Sequence, residues 1–323
     1  MGYWRLDADT LAGGRFALSP LSEAVAAFMS LERPKPADPG ELSWRADHLP
    51  GYRAHVAARP VTAQLADAAL GHRNWLADFL TPVPSFDGAR TFEEELADIR
   101  RTPPGRARAH LVVSRPGPLP PALDRDDLPG LLADLLEWVW THTVLPTWPR
   151  RRRILEADVV ARTRRLTEGG WAAVLDDMRP GMRWLGESRL QINAHDHPPQ
   201  DLSGRRLLFV PVTPHRGWVS YDHAGKYAVV YPCSGVLAEA GRTAVPAALA
   251  ALLGPARAAV LELLGTPLST TQLTALTGQG LGSVGRHLRV LLDARLVARR
   301  RSGRSVLYFR TAAGDVLVRA QQD

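Results

Sequence analysis

Apolar positions recur at helical spacing through most of the first 180 residues and again beyond 244; strand-like runs concentrate between 181 and 232. Residues 12–18 alternate loosely and suggest a strand. Ser19 and Pro20 then supply a cap and a first-turn residue for a helix over 21–31, with Leu21, Val25 and Phe28 on one face. Three prolines and a glycine make 32–40 a loop. A second helix is expected over 61–80, followed by an extended connection over 81–88. Thr91 and Glu94 form a capping-box pattern at the head of a short helix that RTPPG ends. After a proline- and aspartate-rich stretch, 131–144 reads as a strongly apolar helix. Residues 150–166 read as an amphipathic one, and Trp171, Val174 and Leu175 begin another helical pattern.

The texture changes at Gly181. Residues 181–195 read as two short strands with a turn at Gly186; 207–212 and 227–232 are strand-like by their branched and aromatic content. The expected fold class is therefore α+β: a mainly helical N-terminal region with a small sheet, then a C-terminal helical module ending in a hairpin. The boundary is placed near 240, where AEAGRTAV offers a small-residue joint, giving domains over 1–240 and 244–320.

The C-terminal module carries the clearest pattern. Pro255 opens a helix whose inner face is Ala256, Val260, Leu263 and Leu264. Ser269 caps a second helix with Leu273 and Leu276 inward, and Gly278 stands where a left-handed residue commonly ends a helix. A third helix buries Val284, Leu288, Leu291 and Leu292. A hairpin turning at Ser302-Gly303 follows, its small core closed by Leu296, Val297, Leu307 and Phe309. This is the order expected of a winged helix-turn-helix.

Charge sharpens the reading. Residues 281–310 hold eight arginines against the single acid Asp293, a net +7 that equals the formal net charge of the whole 323-residue chain. The basic excess is thus local, and a regular array of phosphates is its natural partner. Arginine outnumbers lysine 38 to 2, a ratio that codon bias can produce, so position counts here for more than number. The third helix leaves Ser283, Arg286, His287 and Arg289 accessible for base edges or phosphates, with Gln279 in the turn before it. Arg299, Arg300, Arg301 and Arg304 stand near the hairpin tip, where guanidiniums can straddle phosphates beside a minor groove. Taken singly, each arginine is more often merely solvent-facing; the joint pattern carries the inference.

The stretches RAAVLELLG, TTQLTALTG and GSVGRHLRVLLDARLVARRRSGRSVLYF resemble the ArsR/SmtB-type winged helix-turn-helix repressors over about 70 residues, Ala247 to Val318. That resemblance implies a homodimer on palindromic operators, released by a metal or another signal, with Ser283, Arg286, His287 and the wing arginines as readers. Metal-sensing members carry a cysteine pair at the start of the second helix. Here PLSTTQLT has no cysteine, histidine or acid, so the thiolate site is missing. FALSPLSEAVAAFMSL and GRRLLFVPV…YAVVYP are similar to an uncharacterised actinobacterial regulator group, a likeness that says nothing about a ligand.

Other candidate chemistry is sparse. His195, Asp196, His197, His215, Asp222, His223 and Cys233 are possible metal donors, but only His195 and His197 lie close in sequence, so no metal site is expected. Trp138, Trp140, Trp148, Trp171 and Trp184 read first as core and second as the lining of a ligand cavity. Arg150–Arg153 either reach DNA beside the operator core or begin a solvated helix. No phosphate-binding glycine loop, nucleophile elbow or His-Glu-x-x-His motif is present, so no catalytic residue and no cofactor is expected. One cysteine precludes an intrachain disulfide. No apolar run approaches membrane length, and the N-terminus lacks signal-peptide character; a cytoplasmic location is expected.

The expected function is a sequence-specific DNA-binding transcription regulator, a dimeric repressor of the ArsR type without the cysteine metal site. Its partners would be double-stranded DNA, a second copy and a small-molecule effector. Two readings stand beside it: a winged-helix protein-interaction adaptor, and an enzyme domain fused to a DNA-binding tail.

Overall fold

The computed structural model describes residues 2–33, 39–71, 75–115, 117–176, 178–193, 198–222, 224–233, 247–265, 267–277, 279–302 and 305–320. The chain starts with β1 (Tyr3–Arg5), α1 (Ala8–Ala12) and β2 (Arg15–Phe16), then runs through α2 (Pro20–Glu32), α3 (Pro39–Ala57), α4 (Pro60–Leu70), α5 (Phe92–Arg100) and α6 (Pro104–Ser114). Helix α7 (Leu128–Val139) passes through a π turn (Trp140–Val144) and a 3₁₀ turn into α8 (Trp148–Leu175). Six strands follow: β3 (Arg183–Gly186), β4 (Arg189–Gln191), β5 (Gln200–Asp201), β6 (Arg206–Val212), β7 (Trp218–Tyr221) and β8 (Lys226–Pro232). The last part holds α9 (Ala247–Leu253), α10 (Pro255–Leu263), β9 (Leu268–Ser269), α11 (Thr270–Thr277), α12 (Leu281–Asp293), β10 (Val297–Ser302), β11 (Ser305–Arg310) and α13 (Ala312–Arg319). The fold class is α+β.

Sheet topology departs from a single sheet over 181–232. One sheet has the order β3-β4-β1-β5 and another β2-β6-β8-β7, so both recruit a strand from the extreme N-terminus. β6 runs parallel to β2 and β8, and β7 is antiparallel to β8. Strands β6 and β8 are buried on both faces, which their unbroken apolar runs allow. Leu208, Val210, Val212, Ala228 and Val230 face the helical core; Leu207, Phe209, Val229 and Tyr231 face a second core with Trp4 and Val174. The β3–β4 turn sits at Glu187 and Ser188, φ +50° and +60°, one step beyond the expected Gly186.

Several local expectations hold. Ser19 Oγ accepts the Ser22 N–H at the head of α2, and Thr91 with Glu94 forms the capping box of α5. The 61–80 helix is shorter than its pattern: Gly71, at φ +56°, ends α4, and Phe79 falls in a 3₁₀ turn. A Cβ at Gly71 would strike the Trp75 and Ser114 carbonyls, so the chain turns there between packed backbones. The break expected before Trp171 is Gly170, whose φ of +66° interrupts α8. Helices α3 and α6 arise in segments for which the pattern yields no element. The expected boundary near 240 lies outside the described residues.

Helix α2 is enclosed on all sides, with even its polar Ser22, Glu23 and Ser30 buried. Glu23 Oε1 accepts from Arg151 Nη1 (2.6 Å), and its Oε2 accepts the Thr213 N–H (2.8 Å). Arg151 also donates to the Thr147 and Thr213 hydroxyls and lies over the Trp44 ring. Both partners of this ion pair are fully buried. It ties α2, the start of α8 and the end of β6 together.

Glu95 is a second buried acid, accepting from Ser19 Oγ and from the Leu21 N–H, both at 2.9 Å. Burial outweighs these two donors and pushes its carboxyl up to about 7. The folded state therefore binds this proton more tightly than the unfolded chain does. The resulting stabilisation is complete below the ordinary glutamate range and is lost as pH rises through about 7. At about 1.4 kcal/mol per pKa unit, that loss approaches about 3 kcal/mol. Denaturant titrations at pH 5 and pH 8 should show wild type losing this much more stability than Glu95→Gln; parallel pH profiles would refute it.

Candidate nucleic-acid interface

The C-terminal elements surround a core of their own. Leu249, Ala258, Val260, Leu261, Leu264 and Leu268 meet Leu273, Val284, Leu288, Leu291, Val297 and Val318. On α10 the inner face is Ala258, Val260, Leu261 and Leu264, while the expected Leu263 is only partly covered. Ser269 caps α11 as expected: its Oγ accepts the Gln272 N–H (3.3 Å), and Gln272 Oε1 accepts the Ser269 N–H (2.6 Å). Ser269 and Leu268 also form a strand, β9, that pairs with β11, making a three-stranded sheet in the order β10-β11-β9.

Helix α12 is strongly amphipathic. Val284, Leu288 and Leu291 are buried and Leu292 is half-buried. The opposite face exposes Arg286, Arg289 and Val290 together with Gly282, Gly285 and Asp293. Gln279, Ser283 and His287 follow each other at intervals of four and form a ridge along one flank, half-buried. Ser283 Oγ donates to Gln279 Oε1 (3.3 Å) and lies 3.2 Å from His287 Nε2. With the hydroxyl proton used toward Gln279, the His287 Nε2–H is the donor to Ser283 Oγ. Burial, and then Arg257 and Arg286, push His287 below its ordinary value, which keeps the ring neutral at pH 7. The expected reading residues thus divide into an exposed cationic face and a self-bonded neutral shoulder.

A Schellman turn redirects the chain from α12 into the hairpin. The Leu296 N–H donates to Leu291 O (3.0 Å) and the Arg295 N–H to Leu292 O (2.9 Å). Arg295 takes the left-handed position at φ +56°, which glycine ordinarily fills. In the hairpin Val297 pairs with Arg310, Arg299 with Tyr308 and Arg301 with Val306, so these share one face. Val297 and Tyr308 belong to the core, which places Arg299 and Arg301 on the side that carries the helices. Ala298, Arg300, Leu307 and Phe309 lie on the other side, with Arg300 over the Phe309 ring. Two corrections follow. Tyr308 closes the small core in place of Leu307 and Phe309, and the tip arginines are divided between two faces. The period of two from Val297 carried this information. Arg304 lies outside the described residues.

Among the described residues Arg286, Arg289, Arg299, Arg300 and Arg301 make no ion pair and no side-chain hydrogen bond. Arg310 is committed internally to Asp315 (3.1 Å). Uncompensated guanidiniums on one helix and its adjoining hairpin form a surface that attracts phosphate.

Residues outside this module take structural places. Leu276 does not point solely into the C-terminal core; it also packs against the cluster of Ile154, Leu155 and Cys233, so α11 rests on α8. Of the arginine run, Arg151 is consumed by Glu23 and Arg152 pairs with Glu156, leaving Arg153 exposed. The His215 N–H donates to Glu41, Asp222 faces Lys226, and Cys233 is buried. His195, Asp196, His197 and His223 lie outside the described residues, and no group of three metal donors occurs among the described ones. Trp140 stacks on Phe92 and touches Trp148, and Trp171 stacks on Phe16; these are core contacts. Trp138 lines a groove. No described helix is long and apolar enough to cross a membrane. Comparison with family models, with curated proteins and with solved structures finds no match for the chain.

Proposed function

We propose that residues 247–320 are a winged helix-turn-helix that binds duplex DNA, and that the chain is a sequence-specific transcription regulator, a homodimeric repressor of the ArsR type lacking a cysteine metal site. The observation that carries this reading is the set of unpaired guanidiniums on α12 (Arg286, Arg289) and on the helix-side face of the hairpin (Arg299, Arg301). In this reading α12 enters the major groove, with Arg286 and Arg289 toward base edges and phosphates and the Gln279–Ser283–His287 ridge along its wall. The hairpin is the wing, and Arg299 and Arg301 meet the flanking backbone. A single recognition helix reads only a few base pairs, so a second copy is required for useful specificity. Exposed Leu252 on α9 and Val316 on α13 are apolar surface that a second copy would cover.

The test is binding of the full-length protein to fragments of its own upstream DNA at two salt concentrations. Site-specific retention is expected, with a log–log salt slope of roughly −4 to −5 if about five phosphates are contacted. A footprint should show two half-sites about one helical turn apart. Retention that is weak and uniform across fragments, or a protein that stays monomeric on a saturated operator, would overturn the proposal.

A further inference from the structure

A groove of about 350 Å³ opens between α3, α4 and α7, far in sequence from the C-terminal module. Its central feature is a cluster of three rings. Trp138 stacks with His55 (centroids 4.6 Å apart, 29° between planes) and with His142 (4.5 Å, 14°). His142 belongs to the π turn that follows α7, an irregularity that recurs at binding sites.

The hydrogen bonds fix the two imidazoles in opposite tautomers. Arg59 Nη1 can only donate, so His55 Nδ1, 3.3 Å away, accepts, and the neutral ring carries its proton on Nε2. The Trp138 carbonyl can only accept, so His142 Nδ1, 2.8 Å away, is protonated and its Nε2 holds a lone pair. Neither Nε2 has a partner among the described residues. The groove therefore offers one free donor and one free acceptor beside an indole. Burial, then Arg59, then His142 hold His55 below its ordinary value, in keeping with a neutral ring.

Charge along the groove is balanced. Arg100 bonds both acids of the rim, Asp134 (3.0 Å) and Glu137 (2.6 Å), while Arg59 is also tied to the His55 carbonyl (3.0 Å). The lining holds one guanidinium, Arg59, and two carboxylates that Arg100 already bonds from outside it, so with Arg100 counted the charges balance and the groove has no net charge to draw a charged ligand. Leu131 and Leu135 supply apolar lining. A concavity of this size that combines an aromatic ring and apolar side chains with fixed polar groups has the make-up of a small-molecule site.

We infer that this groove binds a small uncharged aromatic molecule with a hydrogen-bond acceptor directed to His55 and a donor directed to His142. The site is independent of the DNA-binding reading and stands or falls separately.

Three probes of one shape and different charge test it on the full-length protein: 4-hydroxybenzamide, 4-hydroxybenzoate and 4-hydroxybenzamidine, followed by saturation-transfer NMR and calorimetry. The uncharged amide should bind at least about tenfold more tightly than either charged analogue, a difference of about 1.4 kcal/mol. His55→Phe with His142→Phe keeps three aromatic rings but removes both hydrogen-bonding edges, and should weaken the amide by about tenfold or more, since both of its hydrogen-bond partners are lost. Trp138→Leu should abolish binding, and an unchanged unfolding temperature in the Phe pair checks that the helices are intact. No binding of the amide at millimolar concentration, preference for a charged analogue, or undiminished binding by the Phe pair overturns the inference.

Discussion

Arg286→Ala is expected to weaken operator binding by about five- to 150-fold, the equivalent of about 1–3 kcal/mol for a base-reading arginine, and to relax specificity at the base pair it faces. Its guanidinium sits at the centre of the exposed face of α12, opposite Val284, Leu288 and Leu291, and has no internal partner to retain it. Arg299→Ala and Arg301→Ala should behave differently. They weaken binding to all sequences alike, and each lowers the salt slope by about one. Arg300→Ala is the internal control, because Arg300 lies over Phe309 on the far side of the hairpin. It should cost clearly less than Arg299→Ala. Fluorescence anisotropy across a salt series, on operator and on scrambled duplex, resolves all four. If Arg286→Ala leaves retention unchanged, the module meets protein instead, and the adaptor reading replaces the regulator.

The second large effect concerns stability. Glu23→Ala leaves the Arg151 guanidinium fully buried without its counter-ion and strips the Thr213 N–H of its acceptor. Breaking a buried pair in this way costs about 3–5 kcal/mol. The double replacement Glu23→Leu with Arg151→Met should recover most of that loss, because the desolvation of both charges disappears with them. Equilibrium denaturation of the two single variants and the double variant forms the cycle. A Glu23→Ala variant within about 1 kcal/mol of wild type would show that water or a neighbouring group compensates Arg151, contrary to the contacts at Thr147, Thr213 and Trp44. Since α8 also supports α11 through Leu276, this variant is also expected to loosen the seat of the C-terminal module.

Elements governed by near neighbours were readable from the residue order alone. Ser19, Thr91 and Ser269 cap α2, α5 and α11 because the bonds they make close within three residues. The spacing of Val284, Leu288 and Leu291 announced the buried side of α12, and with it the exposure of Arg286 and Arg289. Helix α3 escaped notice because Pro50 and Gly51 stand inside it, where propensity argues against a helix; packing of Trp44 and Tyr52 into the core overrides that preference. Helix α6 hid behind the two prolines that open it.

Everything that depended on distant partners was decided by the tertiary structure. β1 is too short to declare itself; β2 falls within the strand suggested over 12–18 but is reduced to two residues, and both exist because β4, β5 and β6 offer them hydrogen bonds from nearly two hundred residues away. The four-arginine run looked like one basic device, yet Arg151 is the buried partner of Glu23, 128 positions distant. The hairpin arginines read as one cluster until the register divided Arg299 and Arg301 from Arg300. His55 and His142 carry no motif at all; His142 meets Trp138 from one turn along the same helical run, but only the packing of α3 against α7 brings His55 to that ring. Helix and cap signals are local free-energy terms of about a kcal/mol or less, repeated over neighbours, and so are written into residue order. Pairing, burial of charge and the shape of a groove arise from contacts whose partners the order does not name.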